Sequence, residues 1–304
     1  MVVPAEGSRD IKALSTDDLL DWMSRWGQPA YRARQIQRWI YQRRVRNFEG
    51  MTDLPSDLRR RLAEEFHIGH LKIVGRERSA DGTRKFLIEL KDRSRIESVL
   101  IRDEDRLTAC ISSQVGCPLG CVFCRTGKGG YRRDLQSSEI VGQVLALQEE
   151  LAEGERITNL VFMGMGDPLL NLKALRESLG ILLGKDGLGF SPRRVTISTV
   201  GLPPAMAELG RWGLKAKLAI SLNAADEKTR SALMPINKKY PLSALISACK
   251  EFPLPRGQRI TFEYVMMEGV NDRIRDGETL ARQLRGVPCK INLIPFNPWP
   301  GCSL

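Results

Sequence analysis

The hydrophobic pattern of the chain changes period twice. Residues 15–62 carry apolar positions at helical spacing. Ser15-Thr16-Asp17-Asp18 reads as a helix start with an acid placed to close a capping box, followed by Leu19, Leu20, Trp22 and Met23 and stopped by Gly27. Pro29 opens a second helix through about Arg43, with Ile36, Trp39 and Ile40 on its apolar face. Pro55 opens a third, with Leu58 and Leu62 inward. Residues 1–12 show no pattern and are expected to be loose. From 71 to 102 the period is two: Leu71–Val74, Arg84–Leu90 and Ile96–Ile101 read as strands of a short antiparallel linker, with a turn at Asp81-Gly82.

Beyond Arg106 strands alternate with helices. Strands are expected near 106–112, 157–164, 194–199, 215–222, 259–267 and 290–296. Helices are expected near 137–151, 171–184, 203–212, 226–251 (broken at Pro235 and Pro241) and 274–285. Six βα-type units imply a parallel sheet with crossover helices, too few to close an eight-stranded barrel. The predicted class is α/β, a partial (β/α)6 barrel, divided as helical domain 1–70, β linker 71–104 and core 105–304.

Composition adds a partner and a compartment. The 304 residues hold 47 Lys and Arg against 36 Asp and Glu, and a net charge of +11 suits a polyanion. Arg32, Arg34, Arg38, Arg43 and Arg44 on the second helix and Arg59, Arg60 and Arg61 on the third suggest an RNA-docking face; a solvated helix surface is the alternative. No run of eighteen apolar residues occurs and the N-terminus lacks a signal layout, so a cytoplasmic chain without membrane contact is expected. Four of the seven cysteines crowd between 110 and 124, which suits a reducing compartment and metal or catalytic use.

The densest chemistry is Cys117-Pro118-Leu119-Gly120-Cys121-Val122-Phe123-Cys124. Three soft thiolates on one short loop select an iron–sulfur or zinc site. A closed zinc site wants a fourth ligand at paired spacing, and the two histidines, His67 and His70, lie far upstream. A 4Fe-4S cluster with one open iron fits better.

This Cys-x3-Cys-x2-Cys run, with an aromatic before its third cysteine, resembles the radical S-adenosylmethionine (SAM) superfamily. Three flanking stretches narrow the match: Cys110–Cys117, Gly164-Met165-Gly166-Asp167-Pro168-Leu169-Leu170-Asn171 and Asn292–Pro298. Together they resemble the RlmN/Cfr family of RNA adenosine methyltransferases, from about residue 10 to the end of the chain.

The resemblance implies a 4Fe-4S cluster on Cys117, Cys121 and Cys124, SAM on its open iron, and a 5′-deoxyadenosyl radical. It implies SAM contacts from Gly166, Asp167, Ser198, Ser221, Leu222, Asn223 and Asn297. The family has Glu where this chain has Asp167, one methylene shorter. Cys110 would resolve a covalent enzyme–RNA intermediate and Glu97 would accept a proton; a buried thiol and a solvated charge are the plain alternatives. The implied reaction is methylation of adenosine C2 in 23S rRNA, and in tRNA for dual-specificity members, by a monomer served by a reducing partner such as flavodoxin. The C8-methylating Cfr branch is one alternative. Another is a truncated RNA- and SAM-binding protein, because the family continues past Pro300-Gly301 to a second, methyl-carrying cysteine while this sequence stops at Leu304. The expectation is a chain with the cofactor site but without that carrier, Cys302 lying outside the carrier's motif and Cys249 and Cys289 packing in a helix and at a strand start.

Overall fold

The computed structural model describes residues 8–300 and Cys302. The chain divides into two compact units. One contains the residues up to Ile111 with Leu135–Asn159 and Lys173–Ser191; the other contains Ser112–Asp134, Leu160–Leu172 and the residues from Pro192 onward.

In the first unit, β1 (Arg9–Asp10) leads into a 3-10 turn at Ile11–Ala13 and then α1 (Thr16–Arg25), α2 (Tyr31–Tyr41) and α3 (Ser56–Glu65). The start expected at Ser15 is a true capping box: the Ser15 hydroxyl accepts from Asp18 N at 3.1 Å and Ser15 N donates to the Asp18 carboxylate at 3.0 Å. Apolar stripes from the three helices meet in a core that fully buries Met23, Ile36 and Leu62. The expectation of loose residues before 13 is corrected for those described. β1 pairs in parallel with β2 (Phe66–His67), the Asp10 side chain caps the turn at Lys12 N, and Ile11 and Lys12 are buried. A pairing this short gives periodicity nothing to register. Residues 1–7 lie outside the described residues.

The two-period stretch becomes an antiparallel ladder of β3 (Lys72–Arg78), β4 (Arg84–Glu89), β5 (Arg95–Asp103) and β6 (Arg106–Cys110). The first core strand expected at 106–112 therefore ends at Cys110 and belongs to this ladder as the antiparallel partner of β5. The second unit then supplies β7 (Gln114–Gly116), the short α4 (Arg125–Lys128) and β8 (Tyr131–Asp134), with β7 and β8 antiparallel around the cysteine loop. Helix α5 (Ser137–Glu149) returns to the first unit and lies on the ladder. Its Ile140, Val141 and Val144 are buried, and the buried Ser98 hydroxyl donates to Gln143 Oε1 at 2.9 Å.

The remaining elements are β9 (Asn159–Phe162), α6 (Leu172–Leu183), β10 (Val195–Thr199), α7 (Pro203–Arg211), β11 (Lys217–Ser221), α8 (Glu227–Leu233), α9 (Leu242–Glu251), β12 (Ile260–Met266), α10 (Ile274–Gln283) and β13 (Cys289–Pro295). Pro235 and Pro241 break the long apolar run as expected, leaving α8, a 3-10 turn and α9. Strands β9 to β13 pair in parallel and in chain order, with Ile197, Leu218, Ile220, Ile260 and Phe262 buried between covering helices. Parallel pairing in chain order puts their C-terminal ends on one edge, where such sheets bind ligands.

Candidate active site

Every residue expected to touch the cluster or SAM lies in the second unit, on or beside that edge. Gly166 and Asp167 follow β9, Ser198 is near the end of β10, Ser221–Asn223 end β11, and Asn297 follows β13. The cysteine loop is fastened to the same edge. Ser113 N and Gln114 N donate to Met165 O at 2.9 and 3.1 Å, Val122 N donates to Leu233 O at 3.0 Å, and Trp299 Nε1 donates to Phe123 O at 3.1 Å. Gly116 has φ +79°, and a Cβ there would sit 1.9 Å from Gly130 O, so only glycine allows the loop to enter against β8.

Cys117 and Cys121 are buried and Cys124 is half-buried. Burial pushes the Cys121 thiol up to about 12, with Cys124 and Cys117 adding to the rise. Burial also pushes Cys117 up to about 11, opposed by a hydrogen bond from Leu119 N and reinforced by Cys124 and Asp167. Among the described residues no group of three His, Cys, Asp or Glu is drawn in to the spacing of a single metal ion. A cuboidal cluster caps each thiolate with a different iron, so it needs wider spacing than one ion. Two buried thiols and a half-buried one at Cys-x3-Cys-x2-Cys spacing fit such a cluster.

The glycine run brings backbone against the loop. Gly166 has φ +91°, and a Cβ there would lie 2.5 Å from Gln114 Cβ. Gln114 Oε1 accepts from Asp167 N at 3.0 Å while its Nε2 donates to Asp134 at 2.7 Å. The Asp167 side chain turns inward. Oδ1 accepts from Leu169 N at 2.9 Å; Oδ2 accepts from the Thr199 hydroxyl at 2.9 Å and Val200 N at 2.8 Å. Its carboxylate ties the glycine loop to the end of β10, and burial pushes it up to about 6 against the pull of those bonds.

A carboxyl whose pKa is raised on folding binds its proton more tightly in the folded chain. Its contribution to stability is fullest below the unfolded value of about 4 and is lost as pH rises through about 6. Asp167→Asn, which does not titrate and leaves one donor unpaired, should cost about 1–3 kcal/mol at pH 7. Denaturant unfolding should show wild type gaining on the variant between pH 7 and 5. A gap constant with pH would refute the assignment.

The other expected SAM contacts separate into two kinds. Among the described residues the Ser198 and Ser221 hydroxyls donate no hydrogen bond, and Asn297 is exposed, so all three remain available to a ligand. Leu222 and Asn223 are committed to the fold. Leu222 N donates to Glu263 O and its O accepts from Arg230. Asn223, at φ +58°, accepts from Val265 N at 2.9 Å and contacts Met234 Sδ at 3.5 Å.

Glu97 and Cys110 lie in the first unit. Val99 on β5 pairs directly with Cys110, so Cys110 and Glu97 share the ladder face opposite Ser98. Cys110 is buried, while Glu97 is half-exposed with Lys85 Nζ at 3.4 Å. Two residues escaped the sequence reading. Thr199 holds Asp167, and Arg230 sits fully buried beneath the strand ends. Arg230 lies in a charged stretch; its one sequence signal is a place one turn before Leu233, on the inward face of α8.

Family comparisons agree with this geometry. The model of the radical SAM superfamily matches residues 111–277, and that of the ribosomal RNA large subunit methyltransferase N-terminal domain matches residues 10–68. The protein is a radical SAM enzyme of the RNA-methylating class. Dual-specificity RNA methyltransferases RlmN from Geobacter sulfurreducens and Anaeromyxobacter dehalogenans are 51% and 48% identical to it. The alignments cover 97% and 99% of this chain and 80% and 82% of theirs. A radical SAM methyltransferase of known structure from Sphaerobacter thermophilus superposes with a TM-score of 0.90 at 41% identity, over 97% of this chain and 87% of that one. The chain belongs to the RlmN family of radical SAM RNA methyltransferases.

Proposed function

We propose that this protein is an enzyme of adenosine C2 methylation in 23S rRNA and tRNA, using a 4Fe-4S cluster held by Cys117, Cys121 and Cys124 and a methyl-carrying cysteine that the motifs of this sequence do not supply. The observation that carries the reading is that the cysteine loop, with Cys117 and Cys121 buried and Cys124 half-buried, and the loops after β9, β10 and β11 stand on one edge of one parallel sheet. A cluster held there by Cys117, Cys121 and Cys124 would supply, with SAM and one electron, the 5′-deoxyadenosyl radical of this chemistry. The chain's own residues prepare the setting. Gly166 offers backbone to the methionine part of SAM, Ser198, Ser221 and Asn297 offer free polar groups, and Asp167, Leu222 and Asn223 hold those positions rigid. Cys110 and Glu97, on one face of the ladder, take the roles of resolving thiol and proton acceptor.

Relatives named dual-specificity RNA methyltransferase RlmN support the RlmN reading over the Cfr branch. A reducing partner of the flavodoxin kind, a monomeric state and a cytoplasmic site belong to the same proposal. Among the described residues no helix is long and apolar enough to cross a membrane. The division into an accessory segment to residue 70, a linker to 104 and a core from 105 is retained as a functional one, supported by the two separate family matches. The experiment is mass spectrometry of methylated adenosine after incubating rRNA and tRNA transcripts with the reduced, SAM-supplied enzyme; 8-methyladenosine would favour the Cfr branch.

RNA docking by the helices is narrower than arginine content suggests. Arg38 pairs with Asp186 at 2.6 Å, Arg46 pairs with Glu149 at 2.9 Å, and Arg59 donates to Glu49 O at 2.8 Å. Arg34 is exposed, while Arg43 and Arg61 stack over Trp39 and Trp26 at 4.1 and 4.4 Å, leaving their outer faces to solvent. Reversing Arg34, Arg43 and Arg61 to Glu should reduce the slope of log affinity against log salt by about 0.7–0.9 for every phosphate no longer neutralised. An unchanged slope would make these helices a solvated cover.

A further inference from the structure

Arg230 carries a buried charge that no carboxylate among the described residues pairs. It has no solvent exposure. Its guanidinium donates to three neutral oxygens: Leu222 O at 3.2 Å, Asn237 Oδ1 at 2.7 Å and Val200 O at 2.6 Å. Among the described residues it forms no ion pair with a carboxylate. Burying such a cation costs several kcal/mol unless an anion meets it. The anionic groups that face it are Cys121, Glu227 and Cys249. Glu227 is exposed, and its carboxylate is already occupied by Asn237 Nδ2 at 2.8 Å and by Leu242 N and Ser243 N at 3.1 Å. Cys249 is a buried thiol on α9, outside the cysteine loop. Cys121 is the one of the three that a bound cluster would hold as a thiolate. The residue after it bonds α8, Val122 N to Leu233 O at 3.0 Å, one turn beyond Arg230.

We propose that Arg230 is the buried counter-cation of the cluster, a positioning residue that eases its reduction. The inference rests on Cys117, Cys121 and Cys124 holding a 4Fe-4S cluster. Such a cluster with three thiolates is net negative and gains a further negative charge when it accepts an electron. A fixed cation on the helix to which the cysteine loop is bonded, shielded from water, would stabilise the reduced form more than the oxidised one. The same side chain joins the ends of β10 and β11 to α8 and the 3-10 turn after it, so it sets both the charge and the shape beneath the loop.

The test compares wild type with Arg230→Gln, Arg230→Lys and Asn237→Ala, the last loosening the same hydrogen bonds without changing charge. Iron content and visible absorption come first, because they report whether a cluster is present at all. A wild type without a cluster would remove the reading beneath this proposal, and the proposal with it. Loaded proteins are then titrated with dithionite as the one-electron donor while the reduced signal is followed by electron paramagnetic resonance. Arg230→Gln should show a tenfold lower ratio of reduced to oxidised cluster at a given potential, a negative shift of about 59 mV. Arg230→Lys and Asn237→Ala should stay near wild type. A loaded Arg230→Gln with an unmoved potential would overturn the proposal and leave Arg230 a purely structural tie. Should Arg230→Gln fail to load, loading of Arg230→Lys supports the charge and equal failure of both overturns it.

Discussion

Alanine at Cys117, Cys121 or Cys124 is expected to abolish the brown chromophore of anaerobically reconstituted protein. Iron should fall from about four per chain to background. The expectation follows from three thiols that are buried or half-buried and stand on a loop hydrogen-bonded to the glycine run, to α8 and to Trp299. A cluster missing one of three protein ligands exposes a second iron, and the two remaining sulfurs cannot hold it against chelation. The fold should survive, because the loop's other anchors are backbone groups. Circular dichroism unchanged beside the absence of iron is the anticipated pair of results; full iron in a triple variant would sink the assignment.

Gly166→Ala should have the second largest effect, and through backbone alone. Its φ of +91° is a region that side chains rarely adopt, and the new methyl would stand 2.5–2.7 Å from Gln114 Cβ, Cγ and Oε1. Gln114 cannot retreat freely, since it is buried and bonds both Asp167 N and Asp134. Backbone strain of about 1–3 kcal/mol adds to overpacking of similar size, so unfolding free energy should fall by about 2–5 kcal/mol. Because the displaced residues join the glycine loop to the cysteine loop, SAM affinity measured by calorimetry on loaded protein should fall as well. Wild-type stability in Gly166→Ala would show that the loop yields where the structure says it is pinned.

Local signals were legible in the sequence. The capping box at Ser15 and Asp18, the helix breaks at Pro235 and Pro241 and the alternation of strands with helices each follow from chemistry within a few residues. What escaped is choice of partner. Asp167 has the residue type of a ligand contact, yet its oxygens are taken by Leu169 N, Thr199 and Val200 N, a choice made only when β10 lies beside β9. Asn223 has the residue type of a turn residue or a cofactor contact, and the pattern does not show that its Oδ1 accepts from Val265 N on β12. Arg230 sits in a helix of charged residues whose inward face is fixed by packing rather than pattern. Lys12 is buried beside a turn too short to show a period.

The measurement that bears most directly on the central claim is reductive cleavage of SAM by the cluster-loaded protein. With dithionite as electron donor under anaerobic conditions, chromatography should show 5′-deoxyadenosine and methionine forming in wild type and neither forming in Cys121→Ala. 5′-Deoxyadenosine at wild-type yield from Cys121→Ala, or none from a wild type with full iron, would contradict the account.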